Sequence, residues 1–137
     1  MSDIKPELSK KSKYWISRHR YYELKHHCMQ YKEWKRLYNQ IEFKMAEHKN
    51  WNERSKTSGD PTAYVAQLRA DLSRAMETVE RCCRVASSEL SGYIFKAVTE
   101  GRSYDSLKAK DDIPCGREMF YDCYRRFFWL LSKEKGP

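Results

Sequence analysis

The chain has 137 residues, 34% of them charged, with a formal net charge of +8 and a mean hydropathy of −0.93. No apolar run approaches the roughly 20 residues that span a bilayer. Met1–Lys13 is polar and basic with no apolar stretch behind it, so neither a membrane span nor a secretory signal is expected, and a cytoplasmic location is.

Only 5 Gly and 4 Pro stand against long stretches rich in Glu, Lys, Arg, Leu and Ala. That balance excludes a sheet built on tight turns and points to an all-α chain. The 14% aromatic content excludes a disordered tail. The length fits one domain, or a domain with an appended helical hairpin.

Three segments are expected: a flexible basic N-terminus over 1–13, a coiled-coil-like helical hairpin over 14–86, and a helix-turn-helix domain over 87–137. The first 36 residues carry ten of the 27 basic side chains and four of the 19 acidic ones. Residues 14–49 read as helix, with Leu24, Cys28, Tyr31, Tyr38, Ile41 and Met45 at helical spacing. This is one long helix or two that meet near Gln30–Lys32. The basic, aromatic stretch Lys10–Arg20 fits either phosphate contact or packing against the domain. Its lysines suit the first role and Trp15 the second.

Residues 50–61 form a loop, with Ser58, Gly59, Asp60 and Pro61 as turn formers in series. Asp60 is placed to cap the next helix and Pro61 to open it. That helix runs to Ala86. Val65, Leu68, Leu72, Met76, Val79, Cys83 and Ala86 form its stripe, expected to pack on 24–45 within the chain or across a homodimer of 14–49 and 61–86. Ser87 or Ser88 is expected to cap a shorter helix that buries Leu90, Tyr93, Ile94, Ala97 and Val98 and stops at Gly101.

The last third carries the functional signal. Ser103 caps a short helix over 104–110, with Tyr104 and Leu107 on one face. Asp111 and Asp112 begin a turn, Ile113 plugs the space between helices, and Pro114 ends the first helix. A longer helix opens near Gly116 with Phe120, Phe127 and Leu131 inward, and Met119, Cys123 and Leu130 beside them. In a helix-turn-helix the second helix enters the major groove with its N-terminal residues at the base edges. Arg117, Glu118, Tyr121 and Arg125 are the expected base readers. Arg102, Ser103, Lys108, Lys110, Tyr124 and Arg126 are the expected contacts to the DNA backbone.

Ser103-Tyr-Asp-Ser-Leu107 followed by Ile113 resembles the Ser-Tyr-Glu-Glu-Ile…Gly-Ile-Ser pattern of the last domain of bacterial sigma factors. The whole plan is similar to small phage transcriptional activators of the RinA and ArpU type. That resemblance implies promoter binding, contact with host RNA polymerase, and double-stranded DNA as partner in a bacterial cytoplasm. It departs at Lys108, where the pattern has a small Ala, at Asp112, where it has a Gly, and at Pro114-Cys115-Gly116, which lengthens the turn. Asp tolerates a left-handed turn position better than most residues. Two rival functions share these features: a phage inhibitor of a host protein or ribonucleoprotein, and a DNA-packaging, terminase-like recognition subunit.

No enzyme, cofactor or metal site is expected. His26, His27 and Cys28 are sequence neighbours that point about 100° apart on a helix and cannot share a zinc ion. Five cysteines without a leader suit reduced thiols.

Overall fold

The computed structural model describes residues 13–47 and 61–136. Asp60 and the rest of the 50–60 loop, with nearly all of the 1–13 segment, lie outside the described residues. Among those described there are six helices and no strand, so the chain is all-α. The helices are α1 (Arg18–Met29), α2 (Tyr31–Glu47), α3 (Pro61–Ala86), α4 (Ser91–Glu100), α5 (Tyr104–Asp111) and α6 (Arg117–Lys135). None is long and apolar enough to cross a membrane.

The first helix starts later than its pattern suggests. Ser17 is extended (φ −69°, ψ 157°) and its hydroxyl accepts the Arg20 N–H at 3.2 Å, which fixes the start at Arg18. The 14–49 stretch then divides at Gln30, whose N–H bonds to the His27 carbonyl at 3.2 Å. α3 opens at Pro61, where the missing N–H leaves no bond unmade.

The residues group into two compact units, and the expected 14–86 hairpin is not one of them. Residues up to Gln30 join those from Thr78 onward, and Tyr31–Glu77 forms the other. The physical reason is the burial of α1. Tyr21, Leu24 and Cys28 are sealed, and α1 packs on α4 and α6. The α3 stripe is correspondingly divided: Leu72 and Met76 belong to the second unit, Val79, Cys82, Cys83 and Ala86 to the first.

Within Tyr31–Glu77, α2 and α3 meet at Arg69. Its Nε donates to Glu42 at 2.6 Å, and its guanidinium lies 5.3 Å from the Tyr38 ring centroid. Leu37, Phe43 and Tyr64 of this unit are exposed.

The first unit is built around aromatic rings. Tyr21, Phe120, Phe127 and Phe128 are at most 1% exposed. Tyr21 meets Phe128 edge-on at 5.1 Å, Tyr124 meets Phe128 at 5.0 Å, and Phe127 meets Phe128 at 4.9 Å. Each such pair adds about 0.5–1.5 kcal/mol to the burial of its rings.

Arg20 ties α1 to the end of α6. Its guanidinium donates to Ser132 Oγ at 3.1 Å, to the Ser132 carbonyl at 3.2 Å, and to the Gly136 carbonyl. A cation suits the negative end of the helix dipole.

α4 has no side-chain cap. Its helix begins at Ser91 rather than after Ser87 or Ser88, and the Ser87 hydroxyl accepts the Leu90 N–H at 3.1 Å in the turn before. Gly101 ends it at φ 68°, ψ 32°. The left-handed backbone favours glycine there, and a Cβ would stand 3.1 Å from the end of the exposed Met29 side chain, which would have to shift slightly.

Candidate nucleic-acid interface

α5 is a two-turn helix held at both ends by its own sequence. Ser103 is extended, and its hydroxyl accepts the Ser106 N–H at 3.2 Å. Asp112 closes the helix in the left-handed region at φ 50°, ψ 50°. That backbone turns Ile113 back under α5, where its N–H meets the Leu107 carbonyl at 3.4 Å and its side chain is fully buried. Two further bonds brace the long turn. The Tyr104 hydroxyl donates to the Cys115 carbonyl at 2.6 Å, and Lys108 Nζ to the Ile113 carbonyl at 3.4 Å. α6 then opens after Gly116, which offers no side-chain cap.

The expected base readers separate into two groups. Arg117 and Glu118 are exposed at the first turn of α6. Arg117 pairs with Asp105 of α5 at 2.6 Å and lies 5.5 Å and 5.9 Å from the Tyr104 and Tyr121 ring centroids. Arg125 is half-buried. Tyr121 is not a reader: it is 5% exposed, and its hydroxyl accepts the Tyr104 N–H at 3.4 Å.

The expected backbone contacts divide in the same way. Lys108 and Lys110 are exposed and Arg126 is half-buried. Ser103 is used as the α5 cap. Arg102 is turned inward, pairing with Asp111 at 2.6 Å and donating to Ser106 Oγ at 3.1 Å and the Ser106 carbonyl at 3.2 Å. Tyr124 is buried, its hydroxyl 2.8 Å from that of Tyr21.

Packing on more than one side explains both tyrosines: Tyr121 meets Tyr104 of α5, and Tyr124 meets Tyr21 of α1. A helix packed on one neighbour buries one stripe, and Phe120, Phe127 and Leu131 supply it. α6 is packed on α1 as well as on α4 and α5. Tyr121 and Phe128, seven residues apart, form a second buried row, and Tyr124 joins the two. At 100° per residue the side left over carries Glu118, Met119, Asp122, Arg126, Trp129 and Lys133. Met119, placed beside the inward row by the sequence pattern, is in fact 55% exposed. Met119 and Asp122 are therefore the outward residues that sequence reasoning missed. The aromatic pair seven apart, 121 and 128, was the available signal.

Asp111 is the electrostatic hub behind the turn. The Lys96 ammonium at 3.0 Å, reinforced by Arg102, holds its carboxyl below the usual carboxylate range. This joins α4, the 101–103 link and the end of α5. Burial pushes the thiols of Cys115 and Cys123 up, so neither is a thiolate at neutral pH. Among the described residues no three His, Cys, Asp or Glu side chains converge on a metal position. The outward face of α6 offers donors, acceptors and, at its first turns, the apolar Met119, which are the tools of recognition. No protein-family model, curated protein or solved structure matches the chain.

Proposed function

We propose that α5 and α6 form a helix-turn-helix and that the chain is a sequence-specific DNA-binding regulator. The observation that carries this reading is the turn. A capped two-turn helix, a left-handed Asp112 and a sealed Ile113 lead into a long helix that exposes Arg117 at its start and Glu118, Met119 and Asp122 on the outward side of its first turns.

These side chains suit base edges. Glu118 and Asp122 accept from the amino group of cytosine, Met119 meets a thymine methyl, and Arg117 donates to guanine. Leaving Asp105 costs Arg117 little, because an exposed ion pair is worth about 0–1 kcal/mol and a bidentate guanine contact about 1–3. Lys108, Lys110, Arg125 and Arg126 supply cations for the flanking phosphates, in keeping with the net charge of +8. The resemblance to phage activators makes promoter DNA in a bacterial cytoplasm the expected target, with host RNA polymerase as a second partner.

Selection of duplexes from a randomised pool by the full chain tests this. Enrichment of one motif is expected, and Glu118→Ala and Asp122→Ala should each relax preference at one position by about 5–150-fold. A pool that stays random overturns the reading. The exposed Leu37, Phe43 and Tyr64 favour a second reading, a helical module that binds a protein or a second copy of itself. A random pool together with capture of a protein partner through these residues would support it.

A further inference from the structure

The helix-turn-helix reading uses only the first half of the outward face of α6. The second half carries a separate cluster. Tyr14 meets Trp129 edge-on with ring centroids 5.5 Å apart. Lys133 Nζ stands 4.2 Å from the Trp129 centroid, and Lys13 Nζ 5.6 Å from that of Tyr14. Both lysines are exposed, and neither has a carboxylate partner among the described residues.

An ammonium over a ring is held by the ring's negative face and keeps its N–H groups free for another acceptor. The cluster is thus two cations, each held over one ring of a joined aromatic pair, drawn from two distant parts of the chain. This gives a role to the basic, aromatic stretch near the N-terminus: Tyr14 meets Trp129 of α6 and so carries Lys13 into the same cluster as Lys133.

The spacing along α6 says what these cations meet. At about 1.5 Å per residue, Trp129 and Lys133 lie roughly 16–22 Å beyond Glu118. The major groove is only about 12 Å wide. With Glu118 and Asp122 at the base edges, the far end of the helix passes over a phosphate strand.

We propose that Lys13, Tyr14, Trp129 and Lys133 form a clamp for the DNA phosphate backbone next to the base-reading turns. This rests on the helix-turn-helix reading for its placement, but not for its chemistry. Two phosphates neutralised by two lysines contribute a salt dependence of about −1.8 to the slope of log K against log salt. At about 0.1 M salt that amounts to roughly 60-fold in affinity, relative to about 1 M.

The experiment measures fluorescence anisotropy of the full chain with two probes over a salt series. One probe is the duplex enriched by selection and the other a random-sequence duplex of equal length. The variant Lys13→Gln with Lys133→Gln is compared with Lys35→Gln and Lys44→Gln, which removes the same charge from α2. The clamp variant should keep its melting temperature and bind both probes about 60-fold more weakly with a shallower salt slope. The α2 variant should stay close to the parent chain.

Equal behaviour of the two variants overturns the clamp, while an enriched motif leaves the reading function standing. A pool without a motif, with random duplex still lost on removing Lys13 and Lys133, keeps the clamp and rejects the reader. No binding to either probe rejects both.

Discussion

The packing of α1 on α6 can be tested through one pair of hydroxyls. Tyr21 is 1% exposed and Tyr124 is 7% exposed, and their oxygens are 2.8 Å apart. Tyr21→Phe removes one hydroxyl and leaves the other buried without this partner, at a cost of about 1–2 kcal/mol. Tyr124→Phe does the same from the other side. Removing both hydroxyls leaves two rings that still pack, so the double variant should lose about 1–2 kcal/mol rather than the sum of the singles. The coupling is then about 1 kcal/mol, well above the few tenths expected of distant sites. Urea unfolding followed by far-ultraviolet circular dichroism measures all four proteins, and the urea dependence should not change among them. Additive losses would refute the reasoning, because they would mean that α1 and α6 do not share this contact.

Three further outcomes are expected. Asp112→Gly should raise stability by about 0.5–1 kcal/mol, since glycine relieves the left-handed backbone at φ 50°; a fall in the urea midpoint would mean that the carboxylate itself holds the turn. Asp111 has its carboxyl depressed by Lys96 and Arg102, so the unfolded chain takes up its proton first on acidification, starting near the ordinary value of 3.8. Its contribution is therefore complete above that value and lost as pH falls through the folded one, and Asp111→Asn should flatten the acid limb of a stability-against-pH profile. A thiol reagent should label Cys115 and Cys123 first, with buried Cys28, Cys82 and Cys83 reacting only as the chain unfolds, because burial both shields them and raises the Cys28 and Cys83 thiols.

Local chemistry in the sequence was readable where one or two residues dictate it. Ser103 as a cap, Gly101 as a stop, Pro61 as a helix start, the inward Ile113 and the left-handed Asp112 all follow from such rules. The start of α1 was missed because Tyr14 and Trp15 continue an apolar pattern that Ser17 interrupts. The break at Gln30 is one of the two alternatives that the pattern leaves open, since no Gly or Pro stands between Met29 and Tyr31 to decide it. The larger error concerned partners. Periodicity shows that a helix has an apolar face, but not which helix covers it. A hairpin of 14–86 leaves α6 with one packed side, and Tyr121 and Tyr124 then face solvent. Packing of α1 on α6 buries Tyr124 against Tyr21, and the contact with Tyr104 of α5 buries Tyr121, which leaves Met119 and Asp122 outward on the candidate interface. Arg102 was lost for a similar reason, since nothing local shows that Asp111 lies within its reach.

The account stands or falls on whether the first outward turns of α6 touch DNA. Backbone amide shifts of the isotope-labelled chain, followed as the enriched duplex is added, measure this directly. The largest changes should fall on Gly116–Asp122 and Arg126, with α2 unmoved. Shifts gathered on α2 and the first turns of α3, with Arg117, Glu118 and Asp122 unchanged, would contradict it.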